Sequence, residues 1–570
     1  MYIHTYLLVT EPYHSPKMIR YRSIDTTIKS KMKKQSTAMP LTEGSLGISR
    51  LWLAMEDWVY YSLSITLSLV VFSSLCKAKC KAPSSSLPPG PTSLTAFGPL
   101  LLLAWTSVNI ESVVRVARSW YGPVFTLYLL PSFPVVFVAD RAVAHRVLVQ
   151  RGSAFADRPP ANLATRIFSS DQHNITTAAY GPLWRALRQN LTGRALHPSS
   201  IPRYAAARRR AASGLVDGIA RQMRSEAGVV VIEPLLHEAV FHVLACMCFG
   251  QGLDAAAIAA VTSLQRELLK EAVGFQVFGS SPKVTKLLFW RRYRRMLSIR
   301  RRQEEVFIPL IRACHARCNT TSGDKSFEMD CYVDSLIGLR IPEQDGNNSR
   351  YLTDGEIVAL CTEFLSGPID STVNVLQWAM ANLVARQEIQ AKLRAEIHNI
   401  TDGQVGEEEH LPRMPYLRAV VLESLRRHPP ARFIMPHAAV GEDGAALDDF
   451  TVPKEVSVNF TVGDMAMDRT VWPDPTRFRP ERFLPGGEGE DLDLTGSKEI
   501  KMMPFGAGRR MCPGIDVSLL HVNLLLATMV TAFQWSEVPG EPVDFTDKLE
   551  LTMVMKRPLH AKVVPCHATT

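Results

Sequence analysis

The run Pro504-Phe505-Gly506-Ala507-Gly508-Arg509-Arg510-Met511-Cys512-Pro513-Gly514 constrains this chain more than any other stretch. It holds one cysteine in a glycine-rich loop, and the apolar residues 515–533 that follow read as a long buried helix. A cysteine at a helix start meets free backbone N–H groups and the positive end of the helix dipole, and both favour its thiolate. The same N–H groups temper the charge on sulfur without protonating it, as a metal–thiolate bond requires. Gly506 and Gly508 allow positive φ and a close backbone approach to a flat group. A buried free thiol is the ordinary fate of a lone cysteine. An aromatic, two glycines and an arginine at fixed offsets weigh against that reading here.

The run resembles the haem-binding loop of the cytochrome P450 family, Phe-x-x-Gly-x-Arg-x-Cys-x-Gly. All five fixed positions are present: Phe505, Gly508, Arg510, Cys512 and Gly514. The resemblance implies haem b as cofactor, with Cys512 as the axial ligand of its iron; thiolate ligation of this kind typifies the family.

Further motifs fit around the loop. Glu423-Ser424-Leu425-Arg426 sets a carboxylate and a guanidinium three residues apart, facing each other on one helix. Phe478-Arg479-Pro480-Glu481-Arg482-Phe483 lies between that helix and Cys512. The resemblance implies that Glu423, Arg426 and Arg482 form a buried network that fixes the cysteine loop. Trp184 and Arg188 place an indole N–H and a guanidinium about one helical turn apart. By resemblance they serve a haem propionate, with His437 and Arg510 as further propionate donors by position. Residues 363–372 are similar to the oxygen-binding helix, (Ala/Gly)-Gly-x-(Asp/Glu)-(Thr/Ser). An acid beside an alcohol, where a helix opens locally, can relay protons through water. Asp370 would be the acid, Ser371 the alcohol and Thr372 an assistant. Pro368 stands where the pattern has glycine, and it removes an N–H and kinks a helix. It either opens the groove by another route or impairs coupling.

Residues 58–75 form an uncharged, mostly apolar run of the minimum length for crossing a bilayer. Trp58, Tyr60 and Tyr61 open it as an interfacial belt, and Lys77, Lys79 and Lys81 close it. Leu87-Pro88-Pro89-Gly90-Pro91 then forms a stiff hinge. This layout resembles the anchor of microsomal family members. It divides the chain into an extension over 1–54, an anchor over 55–76, a basic stop and hinge over 77–91, and a catalytic domain over 92–570. The extension reads as unstructured and either optional or upstream of a start at Met55. It holds eight Lys/Arg and three Asp/Glu, hence +5 of the formal +9. The expected location is the endoplasmic reticulum membrane, single-pass, with a cytosolic catalytic domain in contact with membrane lipid.

Past the hinge, residues 124–129 and 135–138 read as strands around a Pro-containing turn. Helical patterns dominate from about residue 141, and strand signals return at 456–462 and near the C-terminus. The expected fold is mainly α with small β-sheets (α+β), and the resemblance implies the cytochrome P450 fold. Ten cysteines without regular spacing do not make a disulfide framework. The pairs Cys246/Cys248 and Cys314/Cys318 hint at zinc but lack a second ligand pair, so core or surface thiols are the better reading. Seven arginines lie between Arg291 and Arg302. A solvated helix face is the default reading, and anionic lipid or an acidic redox partner the alternative. The mild charge elsewhere does not argue for nucleic acid.

Phe155-Ala156-Asp157-Arg158-Pro159, Asp171-Gln172-His173-Asn174-Ile175 and Arg427-His428-Pro429-Pro430 resemble plant microsomal members, family 89 above all. The implied function is a haem-thiolate monooxygenase that inserts one atom of O2 into a lipophilic small molecule. No flavin or dinucleotide fingerprint is visible, so electrons would come from NADPH through a separate partner, NADPH-cytochrome P450 reductase. The alternative is a haem-thiolate isomerase or dehydratase acting on a peroxide without O2 or reductase. By family analogy the pocket is lined near 161–173, 271–280, 364–371, 431–436 and 552–554, with Phe364, Phe433, Ile434, Met435 and Met553 prominent.

Overall fold

The structure is a computed structural model. It describes residues 87–91, 110–130, 133–279, 282–320, 331–343, 348–401 and 408–566. The expected extension, anchor and basic stop lie outside these residues.

Helices dominate, as their apolar periodicity requires. The ones that build the site are α1 (Pro182–Asn190), α2 (Ala205–Ser225), α3 (Glu233–Phe249), α4 (Trp290–Thr320), α5 (Asp354–Ala385), α6 (Gln387–Thr401), α7 (Pro415–Arg427) and α8 (Ile515–Ala532). The 32-residue α5 is the axis of the core and packs on α3, α7 and α8. Its start is set by a capping box. Thr353 Oγ1 accepts from the Glu356 N–H, and a Glu356 carboxylate oxygen accepts from the Thr353 N–H at 2.8 Å. The helix runs unbroken through Pro368. The proline deprives the Phe364 carbonyl of its usual donor.

The sheets are small. Strands β1 (Val124–Leu130) and β2 (Phe133–Val138) pair antiparallel, and β2 pairs in parallel with β4 (Ser457–Phe460). Strand β6 (His560–Pro565) lies between β3 (Val229–Val231) and β5 (Phe533–Ser536). A hairpin of 547–549 with 553–555 docks on α5, where Trp378 Nε1 donates to the Met553 carbonyl. The strands expected at 124–129, 135–138 and 456–462 are present to within a few residues. Among the described residues α8 alone is long and apolar enough to cross a membrane. More than half of it is buried, and it packs on α5 and α6, as a core helix does.

The arginine run sits on α4, and much of it is matched internally. Arg295 and Arg302 both reach Glu267, Arg300 reaches Glu304, and Arg301 reaches Glu305. Exposed Arg295 and Arg301 fit the solvated-face reading, whereas Arg300 is buried and also donates to Ser170 Oγ and the Gly355 carbonyl. Cys246, Cys248 and Cys314 are buried thiols, as the core-thiol reading expects. Cys314 Sγ lies 4.0 Å from Cys331 Sγ, in a buried group with Asp334.

Candidate active site

The cysteine loop is built on two glycines in the left-handed region, Gly506 at φ +70° and Gly508 at φ +72°. The Cys512 N–H donates to the Phe505 carbonyl at 2.9 Å and closes the turn. Gly508 does make a close approach, but to protein. A Cβ there would sit 1.8 Å from the Leu148 carbonyl oxygen, so that glycine also seats the loop on the chain. Cys512 is a free, partly exposed thiol. Burial pushes it up, while the Gly514 N–H and the Arg188 charge pull it down. These two donors stabilise the thiolate at the start of α8.

The loop is tied to a buried ionic network. Glu423, Arg426 and Arg482 are fully buried. Arg426 grips Glu423 through both carboxylate oxygens, at 2.7 and 2.8 Å, and Arg482 Nε lies 3.5 Å from Glu423 Oε1. Arg426 also reaches the carbonyls of Ala466 and Pro475, and Arg482 that of Asp474, while Arg482 Nη1 lies 3.6 Å from a Glu488 carboxylate oxygen. Arg426 also lies over the Trp472 ring, and Trp472 Nε1 donates to the Lys501 carbonyl just ahead of the loop.

On the other side of the loop lies a cluster of cationic and neutral donors. Arg188 Nη2 donates to the Met511 carbonyl at 2.6 Å. Arg510 stacks over the Trp184 ring and spends its donors on the carbonyls of Ala156, Ile175 and Ala178. It ties the cysteine loop to the 156–178 segment and keeps two of its five N–H donors for other partners. Trp184 Nε1 and His437 Nδ1 are buried without a hydrogen-bond partner in the protein. Burial and the charges of Arg158 and Arg510 hold His437 well below its ordinary range, hence neutral. Arg158 donates to the carbonyls of Thr176, Met435 and Pro436. Sequence reasoning quoted its motif, Asp157-Arg158-Pro159, but gave it no role. Orphaned buried donors among three guanidinium groups are what a dianionic edge needs. The residues therefore fit a haem with its propionates.

The third part is α5. From Glu356 to Val384 it is buried except at 363, 366, 367, 368, 370 and 371. Residues 363, 366, 367, 370 and 371 recur at helical spacing and form one accessible stripe. Asp370 and Ser371 lie on it. Thr372 does not: it is 3% exposed, on the buried side, so it is not an assistant to the pair. Burial, then the charges of Glu550 and Glu233, push Asp370 up to about 6. Ser371 Oγ donates back to the helix carbonyls of Gly367 and Pro368, at 3.1 and 3.2 Å. Of the expected pocket residues, Phe364 turns away and stacks on Tyr332, with ring centroids 4.7 Å apart. Phe433 packs on Phe137, and Met553 is buried, while Met435 is exposed.

A cysteine loop on a long helix, a cluster of propionate-type donors and an accessible acid–alcohol stripe define a haem-thiolate enzyme. Residues 88–564 match the sequence model of the family Cytochrome P450, and the chain belongs to that family. It is an oxidoreductase of the monooxygenase class with haem as cofactor. Cytochrome P450 89A9 of Arabidopsis thaliana is 40% identical to it over 88% of this chain and 97% of its own length. Pluviatolide synthase of Podophyllum peltatum is 30% identical over 90% of this chain and 98% of its own. A zebra fish cytochrome P450 solved with progesterone superposes with a TM-score of 0.66 at 22% identity, covering 80% of this chain and 100% of that one.

Proposed function

We propose that the protein hydroxylates or otherwise monooxygenates a lipophilic small molecule at the α5 stripe, with electrons from a separate NADPH-dependent flavoprotein reductase. When bound, haem supplies the iron at which dioxygen is reductively activated. Cys512 would supply the sulfur ligand; burial raises its thiol above the ordinary value, and the Gly514 N–H and Arg188 work against that in favour of the thiolate. Trp184, Arg188, His437 and Arg510, with Arg158 beside them, would hold the propionates. Asp370 keeps a proton available near neutral pH, because burial favours its neutral form. Ser371, bonded only to helix carbonyls, can turn its hydroxyl toward water in the groove and pass that proton on. The observation that carries this reading is the raised Asp370 beside Ser371 on the one accessible face of α5. A peroxide isomerase needs no proton supply of this kind.

The chain would be anchored in the endoplasmic reticulum membrane through residues 58–75, with the catalytic domain in the cytosol. The test reconstitutes the holoprotein with a plant NADPH reductase and screens lipophilic metabolites. Substrate-dependent NADPH consumption with product one oxygen heavier supports the reading. Turnover of an organic hydroperoxide without NADPH, and no oxygenated product with it, would replace monooxygenation by the isomerase.

A further inference from the structure

Glu363 was given no role by the motifs. It stands at the N-terminal end of the accessible stripe, two helical turns before Asp370. Its carboxylate accepts from two consecutive backbone N–H groups, Ile175 at 2.9 Å and Thr176 at 2.5 Å. The carbonyls of the same stretch are taken by other charged side chains. Arg510 holds those of Ile175 and Ala178, and Arg158 that of Thr176. The remaining groups are closed locally. The Thr177 N–H meets Asn174 Oδ1, the Ala178 N–H meets the Asn174 carbonyl, and Gln172 Nε2 donates to the Thr177 carbonyl. A stretch with no regular secondary structure thus has every backbone N–H and carbonyl from 175 to 178 engaged, five of the eight by charges. Such bonds are about twice as strong as neutral ones.

The three charges come from three places. Arg510 belongs to the cysteine loop, Arg158 to the segment before α1, and Glu363 to α5. Glu363 is the only one of the three that reaches the stretch from α5, and the only anion. We propose that Glu363 is a positioning residue. By clamping the Ile175 and Thr176 amides it fixes the 161–178 wall against the stripe of Asp370 and Ser371, and so sets the pocket shape that selects the substrate and its oxidised carbon. This rests on the monooxygenase reading of the same site.

The test uses the haem-loaded protein with Glu363→Ala, Glu363→Gln and, as a surface control, Glu305→Gln on the exposed side of α4. Hydrogen exchange of the peptide carrying residues 174–178 reads the clamp directly. Its protection should fall about tenfold in Glu363→Ala, less in Glu363→Gln, which keeps one oxygen acceptor, and not at all in the control. Imidazole and the bulkier 4-phenylimidazole, followed by their difference spectra, read the pocket. The ratio of their affinities should shift about tenfold in Glu363→Ala, because only the larger probe feels the wall. A general loss of stability would move both ligands together and leave the ratio alone. Unchanged exchange and an unchanged ratio would overturn the clamp. If Glu363→Ala fails to hold haem, Glu363→Gln decides by the same readouts. A wild-type protein lacking the thiolate-type carbonyl spectrum would instead sink the monooxygenase reading itself.

Discussion

Glu423, Arg426 and Arg482 lie wholly inside the protein, and nearly every charge there meets a counter-charge or a carbonyl. Asp370 and Ser371 stand on the accessible stripe of α5. Among the described residues the acid there has no counter-ion, and the alcohol bonds only to its own helix. The first region has one arrangement and holds it. The second carries groups whose protonation and orientation can change. Rigid support behind a ligand and unsatisfied groups ahead of it is the division of labour that a preorganised site requires. It also separates the consequences of mutation: losses behind the cysteine loop should appear as stability, and losses on the stripe as chemistry.

The largest expected effect lies in the first region. Glu423→Ala leaves Arg426 a buried, uncompensated cation and Arg482 with only Glu488, 3.6 Å away, and should cost about 3–5 kcal/mol. Haem content and thermal unfolding should both collapse. If the variant held normal haem and melted within a few degrees of wild type, the network would not be the support described here. Next comes Asp370→Asn, which should lower turnover by about 10²-fold or more at normal haem content. An equal drop in haem content would put Asp370 with the structural group and blur the contrast.

Gly508→Ala should follow, at about 2–3 kcal/mol, since the new Cβ meets the Leu148 carbonyl at a φ that alanine resists. Its readout is a lower melting temperature. The pH dependence of Asp370 is of similar or smaller size. Its pKa is raised in the fold, so the native state favours the proton. As pH rises from about 4 through about 6 the wild type loses stability, on the order of 2 kcal/mol, and Asp370→Asn does not. The gap in melting temperature should therefore open across that window and stay constant above it. A constant gap from pH 4 to 7 would show that the group is not buried as described. The smallest effect belongs to Ser371→Ala. It should leave stability and haem untouched and divert a several-fold larger share of NADPH into hydrogen peroxide, of order 10-fold at most.

Much of this was legible in the sequence, for definite reasons. The cysteine loop could be read because its chemistry needs residues close in sequence: two positive-φ glycines, a cysteine and a helix start. Glu423 with Arg426 could be read because a helix brings positions three apart together. What sequence missed depends on contacts between distant segments. Gly508 packs against the Leu148 carbonyl, Arg510 turns to three carbonyls between 156 and 178, and Glu363 meets amides 187 and 188 residues away. Thr372 was misplaced for a simpler reason. Membership of a motif says nothing about helix phase, and it falls on the buried side of α5. Counting 3.6 residues per turn from Asp370 sets Thr372 apart and brings Glu363 forward. Phe364, seven residues before Ser371, shares that serine's phase and is drawn off by its stacking on Tyr332.

The central claim is that Cys512 presents a thiolate to haem iron. It is tested by the carbon monoxide difference spectrum of the reduced protein. The wild type should show the strongly red-shifted Soret band of a thiolate-ligated carbonyl complex. Cys512→Ala, reconstituted with haem, should lose that band entirely. A red-shifted band that survived in Cys512→Ala, or was absent from correctly folded, haem-loaded wild type, would contradict the account.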